Sequence, residues 1–381
     1  MRRAPPLVVL VLGGVAERWE CPADASPLSL AATPHLDRLA ADGRVFGVSL
    51  IEEAPESAAP LLALLGFDPH GVETAAASYL AVLHGAEPAP GECFARGNFI
   101  SLFRDLVADP EPHLRPAESD LLLQSVGTAI ERAGFRLVPG PGPAQLVIAQ
   151  RGAVDATLPA ATAMIGKEVS GHEPRREGHA FAHRRAREAL DGHEVNEVRR
   201  DLGGNGADML WICEPGGTAR LDAAWDVPVS ALGTDPVWRG VCQAAGVPVR
   251  APSARTAAQL LRGVGNALKR DAVCFVHTRK GERDAFQRQL GARTEGLATL
   301  DGEFVGPLAD LVAGAGGRLL VIADVPRSTA DGVAFAEPVP ALLWGAGVTA
   351  LAARPFTESG AAAAGDPLAP GHGLLSYLRN L

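Results

Sequence analysis

The stretch that decides the fold is Leu7–Leu12, which reads Leu-Val-Val-Leu-Val-Leu and is followed by Gly13 and Gly14. A short unbroken apolar run that ends in glycine is typical of a strand buried on both faces of a parallel sheet. Arg2 and Arg3 before the run would also suit a short signal peptide. Because the chain continues as a folded domain, we expect a first buried strand over residues 7–12.

Further along the chain, short apolar runs alternate with stretches of helical periodicity. The expected strands are Gln145–Ala149, Met209–Cys213, Ala272–His277 and Leu319–Ile322, and the expected helices are Thr33–Asp42, Ser119–Ala133, Thr256–Lys269 and Val305–Gly314. Thr33 followed by Pro34 is a plausible helix start, with proline in the first turn. Strands that alternate with helices of this length predict an α/β fold whose mostly parallel sheet is covered by helices on both faces.

The region from Asp155 to Arg200 is polar, rich in arginine and histidine, and weak in strand pattern. We expect a core domain over 1–118 and 204–381, with an inserted, smaller α/β or cap subdomain over 119–203. His179 and His183 would share one helical face at a spacing that suits metal ligands. The arginines around them disfavour a metal, so the expectation is a solvated basic helix; an anionic ligand along 175–187 is the alternative.

The composition excludes some classes of function. The 381 residues carry 35 basic against 44 acidic side chains, a net charge of −9, which speaks against nucleic-acid binding. No apolar run reaches the roughly 18 residues that a membrane-spanning helix needs. The five cysteines are scattered and fit buried thiols in a reducing compartment. We therefore expect a cytoplasmic protein without nucleic-acid or membrane partners.

Several stretches share a pattern with one known family. Ala32–Ala40 reads Ala-Thr-Pro-His-Leu-Asp-Arg-Leu-Ala, Pro55–Ala58 reads Pro-Glu-Ser-Ala, and Leu65–Pro69 reads Leu-Gly-Phe-Asp-Pro. Further matching stretches are Phe94–Phe99, Ser230–Gly240, Val276-His277, Val305–Leu308, Ala323–Pro326 and Glu337–Pro340. Together they resemble the archaeal-type, cofactor-independent phosphoglycerate mutases of the alkaline phosphatase superfamily. The resemblance implies an alkaline-phosphatase-like core and a glycolytic activity, the interconversion of 2- and 3-phosphoglycerate.

The resemblance also implies where a site would lie. The family activates a serine with two divalent metal ions held by carboxylates and histidines. The serine corresponds to Ser57, and Arg96 and Arg239 fall where phosphate contacts are implied. Of the metal ligands, the aspartate of the Asp-His pair remains as Asp324, and another aspartate is lengthened to Glu282.

Most of the implied metal ligands are missing. The first-strand aspartate is Gly13, and the three histidine positions hold Phe286, Val325 and Ala334. One serine and two carboxylates supply too few ligands for two ions, although a single Mg²⁺ or Mn²⁺ is possible. If the ligand motifs are aligned differently, the nearest alternative ligands are His277, Asp284 and Asp331.

Three hypotheses follow. The preferred one is a catalytically degenerate mutase-like protein that binds a partner protein or a phosphorylated metabolite. The second is an active phosphomutase or phosphatase, with Ser57 as nucleophile and one metal on Asp324 and Glu282. The third is a structural subunit of a homo-oligomer that associates through 341–348, a stretch that also reads as a buried strand.

Overall fold

The computed structural model describes residues 4–53, 55–138, 145–151, 158–222, 225–279, 285 and 288–379. The chain forms two compact units. The first consists of Met1–Val72 and Leu221–Leu381, and the second is Glu73–Arg220. Glu282, Asp284 and Phe286, which carried sequence-based predictions, lie outside the described residues.

Within the described residues the strands are β1 (Leu7–Leu12), β2 (Arg44–Val48), β3 (Glu92–Phe103), β4 (Leu106–Asp109), β5 (Phe135–Val138), β6 (Gln145–Arg151), β7 (Met209–Gly216), β8 (Val229–Leu232), β9 (Val273–Thr278), β10 (Arg318–Ala323) and β11 (Val339–Gly345). The helices are α1 (Pro27–Leu30), α2 (Pro34–Ala41), α3 (Ala59–Leu64), α4 (Ala76–Leu83), α5 (Pro116–Glu131), α6 (Glu177–Leu190), α7 (Glu194–Asp201), α8 (Pro236–Ala244), α9 (Ala257–Ala267), α10 (Leu290–Leu300), α11 (Gly306–Gly314), α12 (Glu358–Ala362) and α13 (Leu374–Arg379). None of these helices is both long enough and apolar enough to cross a bilayer.

The first unit is built on a six-stranded sheet in the order β2-β11-β10-β1-β9-β8. Strand β1 pairs in parallel with β10 and β9, and β8 pairs in parallel with β9, whereas β11 runs antiparallel to both of its neighbours. All six residues of β1 are buried. Because successive side chains of a strand point to opposite faces, both faces of the sheet are covered there. The predicted α/β fold with a mostly parallel sheet is confirmed.

Helix α2 starts at Pro34, with proline in its first turn as the sequence predicts. Thr33 precedes the helix, but its side chain does not cap it. Instead, the carboxylate of Asp301 accepts hydrogen bonds from the backbone N–H groups of His35 and Leu36, both at 2.9 Å. Asp301 begins a π-helical turn (Asp301–Val305) and is fully buried. A residue more than 260 positions away in the sequence therefore satisfies the first turn of α2.

The second unit contains a five-stranded sheet in which β3 pairs antiparallel with β4, β6 and β7, and β6 pairs with β5. The expected insert over 119–203 lies inside this unit, which starts earlier, at Glu73. The reason is that β3 hydrogen-bonds to β6 and β7 and not to the strands of the six-stranded sheet. The pairing of β3 with later strands, rather than a local composition change, sets these wider bounds.

The expectation of a solvated helix is wrong for the histidines of α6. His179 and His183 are 0% and 3% exposed. The backbone N–H of Ile212 in β7 donates to His183 Nε2 at 3.0 Å, and His179 Nε2 lies 3.2 Å from the carbonyl oxygen of Ile212. Both polar groups of one residue in β7 are thus satisfied by α6, which covers the strand edge that does not pair with β3. The arginines at 184 and 187 occupy the exposed face of the helix.

The stretch 341–348 forms the greater part of β11 and pairs with β10 on one side and β2 on the other. Ala341, Leu342 and Leu343 are fully buried. Burial within the sheet accounts for this apolar run, so the alternative of a buried strand is confirmed. Association into a homo-oligomer stays a prediction, and this buried segment is not assigned as its contact surface.

Candidate functional site

Three neighbouring parallel strands bring the candidate residues to one edge of the six-stranded sheet. Leu12 at the end of β1 lies opposite Thr278 of β9 on one side and Ala323 of β10 on the other. Gly13, His277 and Asp324 therefore lie at the carboxyl ends of adjacent strands. In open α/β sheets this edge is where ligands bind.

Asp324 is held in one orientation. Its Oδ1 atom accepts hydrogen bonds from the backbone N–H groups of Val325 at 2.6 Å and Gly14 at 3.4 Å. Its Oδ2 atom lies 3.7 Å from Nε2 of His277. The residue is 7% exposed. The carboxylate predicted from the sequence thus lies at the strand edge, with one oxygen fixed by backbone amides.

His277 is the nearest of the alternative ligands to the candidate site, and it is 6% exposed. Its ring packs on the indole of Trp238, with centroids 5.4 Å apart and planes at 34°. Trp238 is itself anchored, because its Nε1–H donates to Leu232 O at 3.1 Å. Neither ring nitrogen of His277 has a hydrogen-bond partner within the described part of the chain. Asp331, another alternative, is exposed.

Gly13 decides whether the pair of metal ions implied by the resemblance fits. A Cβ atom at Gly13 would lie 2.7 Å from the carbonyl oxygen of Thr278 and 3.1 Å from Oδ2 of Asp324. The Gly13 N–H already donates to that carbonyl at 2.7 Å. The strands have closed over the space that an aspartate side chain would need. Across the described ranges, no three His, Cys, Asp or Glu side chains form a group that could hold a metal. These residues do not fit a pair of ions.

Ser57 is half-buried in the loop before α3, and its Oγ accepts a hydrogen bond from the Ala59 N–H at 3.1 Å. The preceding residue, Glu56, forms two hydrogen bonds with the guanidinium of Arg327, at 2.8 and 2.9 Å. Arg327 is 3% exposed and lies three residues after Asp324. This ion pair fixes the loop that carries Ser57 against the loop that follows β10.

A second buried guanidinium supports the loop that follows β1. Arg293 is fully buried and donates to Gly14 O at 3.1 Å, to Ala16 O at 2.9 Å and to Glu17 at 3.2 Å. Burial lowers the pKa of Arg293, whereas the carboxylate of Glu17 opposes that shift. Burial also raises the pKa of Glu358, which accepts hydrogen bonds from Glu17 N and Ser26 Oγ. Within this cluster, the guanidinium of Arg293 compensates the charge of the Glu17 carboxylate.

Sequence reasoning missed both arginines. No local spacing signals them, because Arg293 and Glu17 are separated by 276 positions and Arg327 and Glu56 by 271. The sequence offers one weak signal, an acidic residue directly before the matched serine, Glu56, and a basic residue directly after the Asp-Val-Pro stretch, Arg327.

Arg239 lies on α8, one residue after Trp238, and is half-buried. Helix α8 is capped by Asp235, whose carboxylate accepts from Trp238 N–H and pairs with Arg279, both at 2.6 Å. Helix α8 also packs against α3, the helix that follows Ser57. A phosphate contact by Arg239 stays a prediction.

Arg96 belongs to the second unit. It is 8% exposed, and its guanidinium pairs with Glu111 at 3.1 Å and Glu214 at 3.2 Å. Two carboxylates on one guanidinium leave less positive charge for a phosphate group. The predicted substrate contact by Arg96 is not tested by this arrangement and stays a prediction.

No family model matches the chain. It is 25% identical over 390 residues to the 2,3-bisphosphoglycerate-independent phosphoglycerate mutase of Methanothrix thermoacetophila, covering 97% of this chain and 98% of that protein. It is 23% identical over 371 residues to the 2,3-bisphosphoglycerate-independent phosphoglycerate mutase 2 of Methanothermobacter thermautotrophicus, covering 92% of this chain and 91% of that protein.

Solved structures agree in fold. The PH0037 protein of Pyrococcus horikoshii matches with a TM-score of 0.72 at 20% identity, covering 99% of this chain and 97% of that one. The cofactor-independent phosphoglycerate mutase of Thermoplasma acidophilum matches with a TM-score of 0.57 at 16% identity, covering 99% of both chains. The chain is therefore a homologue of the archaeal cofactor-independent phosphoglycerate mutases and has their alkaline-phosphatase-like fold.

Proposed function

We propose that this phosphoglycerate-mutase-like chain acts by binding a phosphorylated metabolite, or a partner protein, at the carboxyl edge of its six-stranded sheet, without two-metal phosphoryl transfer. The observation that carries the proposal is Gly13, where a Cβ atom would meet Thr278 O at 2.7 Å. A two-metal centre stabilises both the attacking and the leaving oxygen, so losing a ligand position and the space for it removes that chemistry.

We assign the anion contact to a guanidinium that the buried ion pairs of this unit do not use. The guanidinium of Arg327 is engaged by Glu56, and that of Arg293 by Glu17. Arg239, half-buried on α8, is the residue we propose as the anion contact. A charge-assisted hydrogen bond to a phosphate is worth about 1.5–3 kcal/mol, or roughly a tenfold to hundredfold change in affinity.

The proposal is tested first by turnover. Purified protein is assayed for conversion of 3-phosphoglycerate with Mn²⁺ present, beside Ser57→Ala. We expect equal, background rates from both proteins. Sustained turnover that Ser57→Ala abolishes would overturn the proposal.

Binding is then measured by calorimetry with 3-phosphoglycerate in the presence of EDTA. Arg239→Ala should weaken binding by roughly tenfold or more. Arg262→Ala is the matched control, since Arg262 is an exposed arginine on α9. If the ligand is instead a partner protein, we expect no measurable binding of 3-phosphoglycerate by the wild-type chain or by either variant.

The second candidate is an ordinary mutase, and the names of the relatives favour it. The observation on its side is that Ser57 is retained and that the Glu56–Arg327 pair holds its loop. It predicts Mn²⁺-dependent turnover lost in Ser57→Ala and in Asp324→Asn. The turnover assay therefore decides between the two candidates.

A further inference from the structure

We infer that the outer face of helices α5 and α7, in the second unit, is a docking surface for a basic amphipathic helix of a partner protein. This α5–α7 surface consists of three apolar side chains and three carboxylates: Leu121, Val198, Leu202, Glu194, Glu197 and Asp201. It lies outside the six-stranded sheet, so the inference goes beyond the binding proposed for the carboxyl edge of that sheet and does not depend on it.

Two polar contacts hold α5 and α7 side by side. The guanidinium of Arg199 donates to the carboxylate of Glu118 at 2.8 Å, and Ser125 Oγ lies 3.1 Å from Nε2 of His193, the N-cap residue of α7. Asn196 marks the inner side of α7, because its side chain is fully buried. With one side of α7 turned to α5 and another to the interior, the remaining side faces outward.

Three apolar side chains are exposed on this helix pair. Leu121, Val198 and Leu202 are 53%, 50% and 77% exposed. Leu121 lies three residues after Glu118 and four before Ser125, on the side of α5 that meets α7. Within the described part of the chain eight large apolar side chains are more than a third exposed, and three of them lie here. Single exposed apolar residues are ordinary, whereas a group of them marks an interaction surface.

A row of carboxylates borders the apolar side chains. Glu194, Glu197 and Asp201 are exposed and are spaced three and four residues apart, along one side of α7. The helix dipole accounts for an acidic first turn, but it disfavours Asp201, which is the last residue of the helix. Both arginines of α7 pair with carboxylates outside this row. Among the described residues none forms an ion pair with the row itself, so its charge is available to a partner.

The charge pattern selects the partner. Apolar contacts on the outer face supply the association, and the carboxylate row attracts lysine and arginine side chains and repels acidic ones. A helix with leucines on one side and basic residues beside them meets both features. A second copy of this chain, docked through the same face, would bring two carboxylate rows together, and the chain already carries a net charge of −9. We therefore assign a basic partner helix and not a second copy.

The test uses a fluorescent synthetic peptide of about 14 residues, long enough to form a helix, with leucine on one face and lysine on the other. Fluorescence anisotropy follows its titration with the whole chain. We expect saturable binding with a Kd on the order of 10 μM at low salt, weakened severalfold at physiological salt. A peptide with glutamate in place of every lysine should not bind.

Variants separate this surface from the general negative charge of the chain. Leu202→Ser should weaken peptide binding by roughly tenfold, whereas Leu351→Ser, at a leucine that is 53% exposed in the first unit, should not. Glu197→Gln with Asp201→Asn should weaken binding severalfold at low salt. Glu303→Gln with Asp310→Asn is the matched control, because it removes the same charge from exposed positions of the first unit.

Three outcomes would overturn the inference. The first is the absence of saturable peptide binding at low salt. The second is equal weakening by the surface variants and their controls, which would show that the peptide responds only to net charge. The third is a wild-type dimer in analytical ultracentrifugation that Leu202→Ser dissociates, because the occupant would then be a second copy. None of these results bears on turnover or on phosphoglycerate binding, so the proposed function is tested separately.

Discussion

Replacing Arg327 by methionine should destabilise the first unit strongly. The side chain of Arg327 is 4% exposed and that of its partner Glu56 is 16% exposed. The substitution removes two hydrogen bonds to Glu56 and a third to Gly332 O at 2.7 Å. It also leaves a largely buried carboxylate without its cation. Breaking a buried ion pair from one side costs about 3–5 kcal/mol.

Because Glu56 retains some contact with solvent, the lower end of that range is expected, about 3 kcal/mol. For a domain of this size the loss corresponds to roughly 6–12 °C in Tm. The assay is thermal and urea unfolding of wild type, Arg327→Met, Glu56→Gln and the double variant. The double-mutant cycle should show that the two substitutions are far from additive, since each removes the same pair.

The matched control is Arg18→Met, which breaks the exposed pair between Arg18 and Glu337, 2.7 Å apart. Exposed ion pairs contribute little to stability, so we expect almost no change. If Arg327→Met shifts the unfolding midpoint no more than Arg18→Met does, the buried pair does not hold the Ser57 loop and the reasoning fails.

Three further predictions concern single contacts. Gly13→Ala should lower the free energy of unfolding by about 1–3 kcal/mol, because the new Cβ atom would lie 2.7 Å from a backbone oxygen. The control is Gly296→Ala in α10, where a Cβ atom meets nothing within 4 Å and should raise the free energy of unfolding by about 0.5–1 kcal/mol. Equal unfolding midpoints for the two variants would contradict the tight packing at Gly13. Asp301→Ala should cost about 1–2 kcal/mol through loss of the α2 cap, and Thr33→Ala should cost less; the reverse order in urea unfolding would refute the distant cap. Burial and the neighbouring His179 hold the pKa of His183 well below its ordinary 6.5. The contribution of the neutral imidazole to stability is therefore complete above pH 6.5 and is lost as the pH falls below that value, by about 1.4 kcal/mol per pH unit. His183→Gln should flatten the pH dependence of urea unfolding in that range, and an unchanged slope would exclude His183 as the titrating group.

Buried strands were predictable because their signal is local. Leu7–Leu12 matches β1 in both bounds, and the expected Ala272–His277 differs from β9 by one residue at each end. A parallel strand covered on both faces must be apolar at every position, so a short apolar run identifies it. The matched motifs likewise brought Ser57 and Asp324 to attention, and Asp324 lies at the strand edge that the fold class implies.

Contacts between distant residues were not predictable. The second unit is wider than the expected insert over 119–203 because β3 pairs with β6 and β7. No change in local composition marks that pairing in the sequence. The burial of His179 and His183 was missed because the arginines around them dominate the local pattern, although they occupy the opposite face of α6. A helix presents one face to the core whatever the average polarity of its sequence.

The sequence by itself determined the order of the buried strands and the fold class, because each of these is a property of consecutive residues. Only the tertiary structure decided that the strands close over Gly13, that Arg293 and Arg327 compensate the acidic loops, and that His277 faces Asp324. These groups are brought together by parallel strand pairing across hundreds of residues. The physical reason is that charge compensation and ligand geometry depend on distances in space, and chain order specifies those distances only after the sheet has formed.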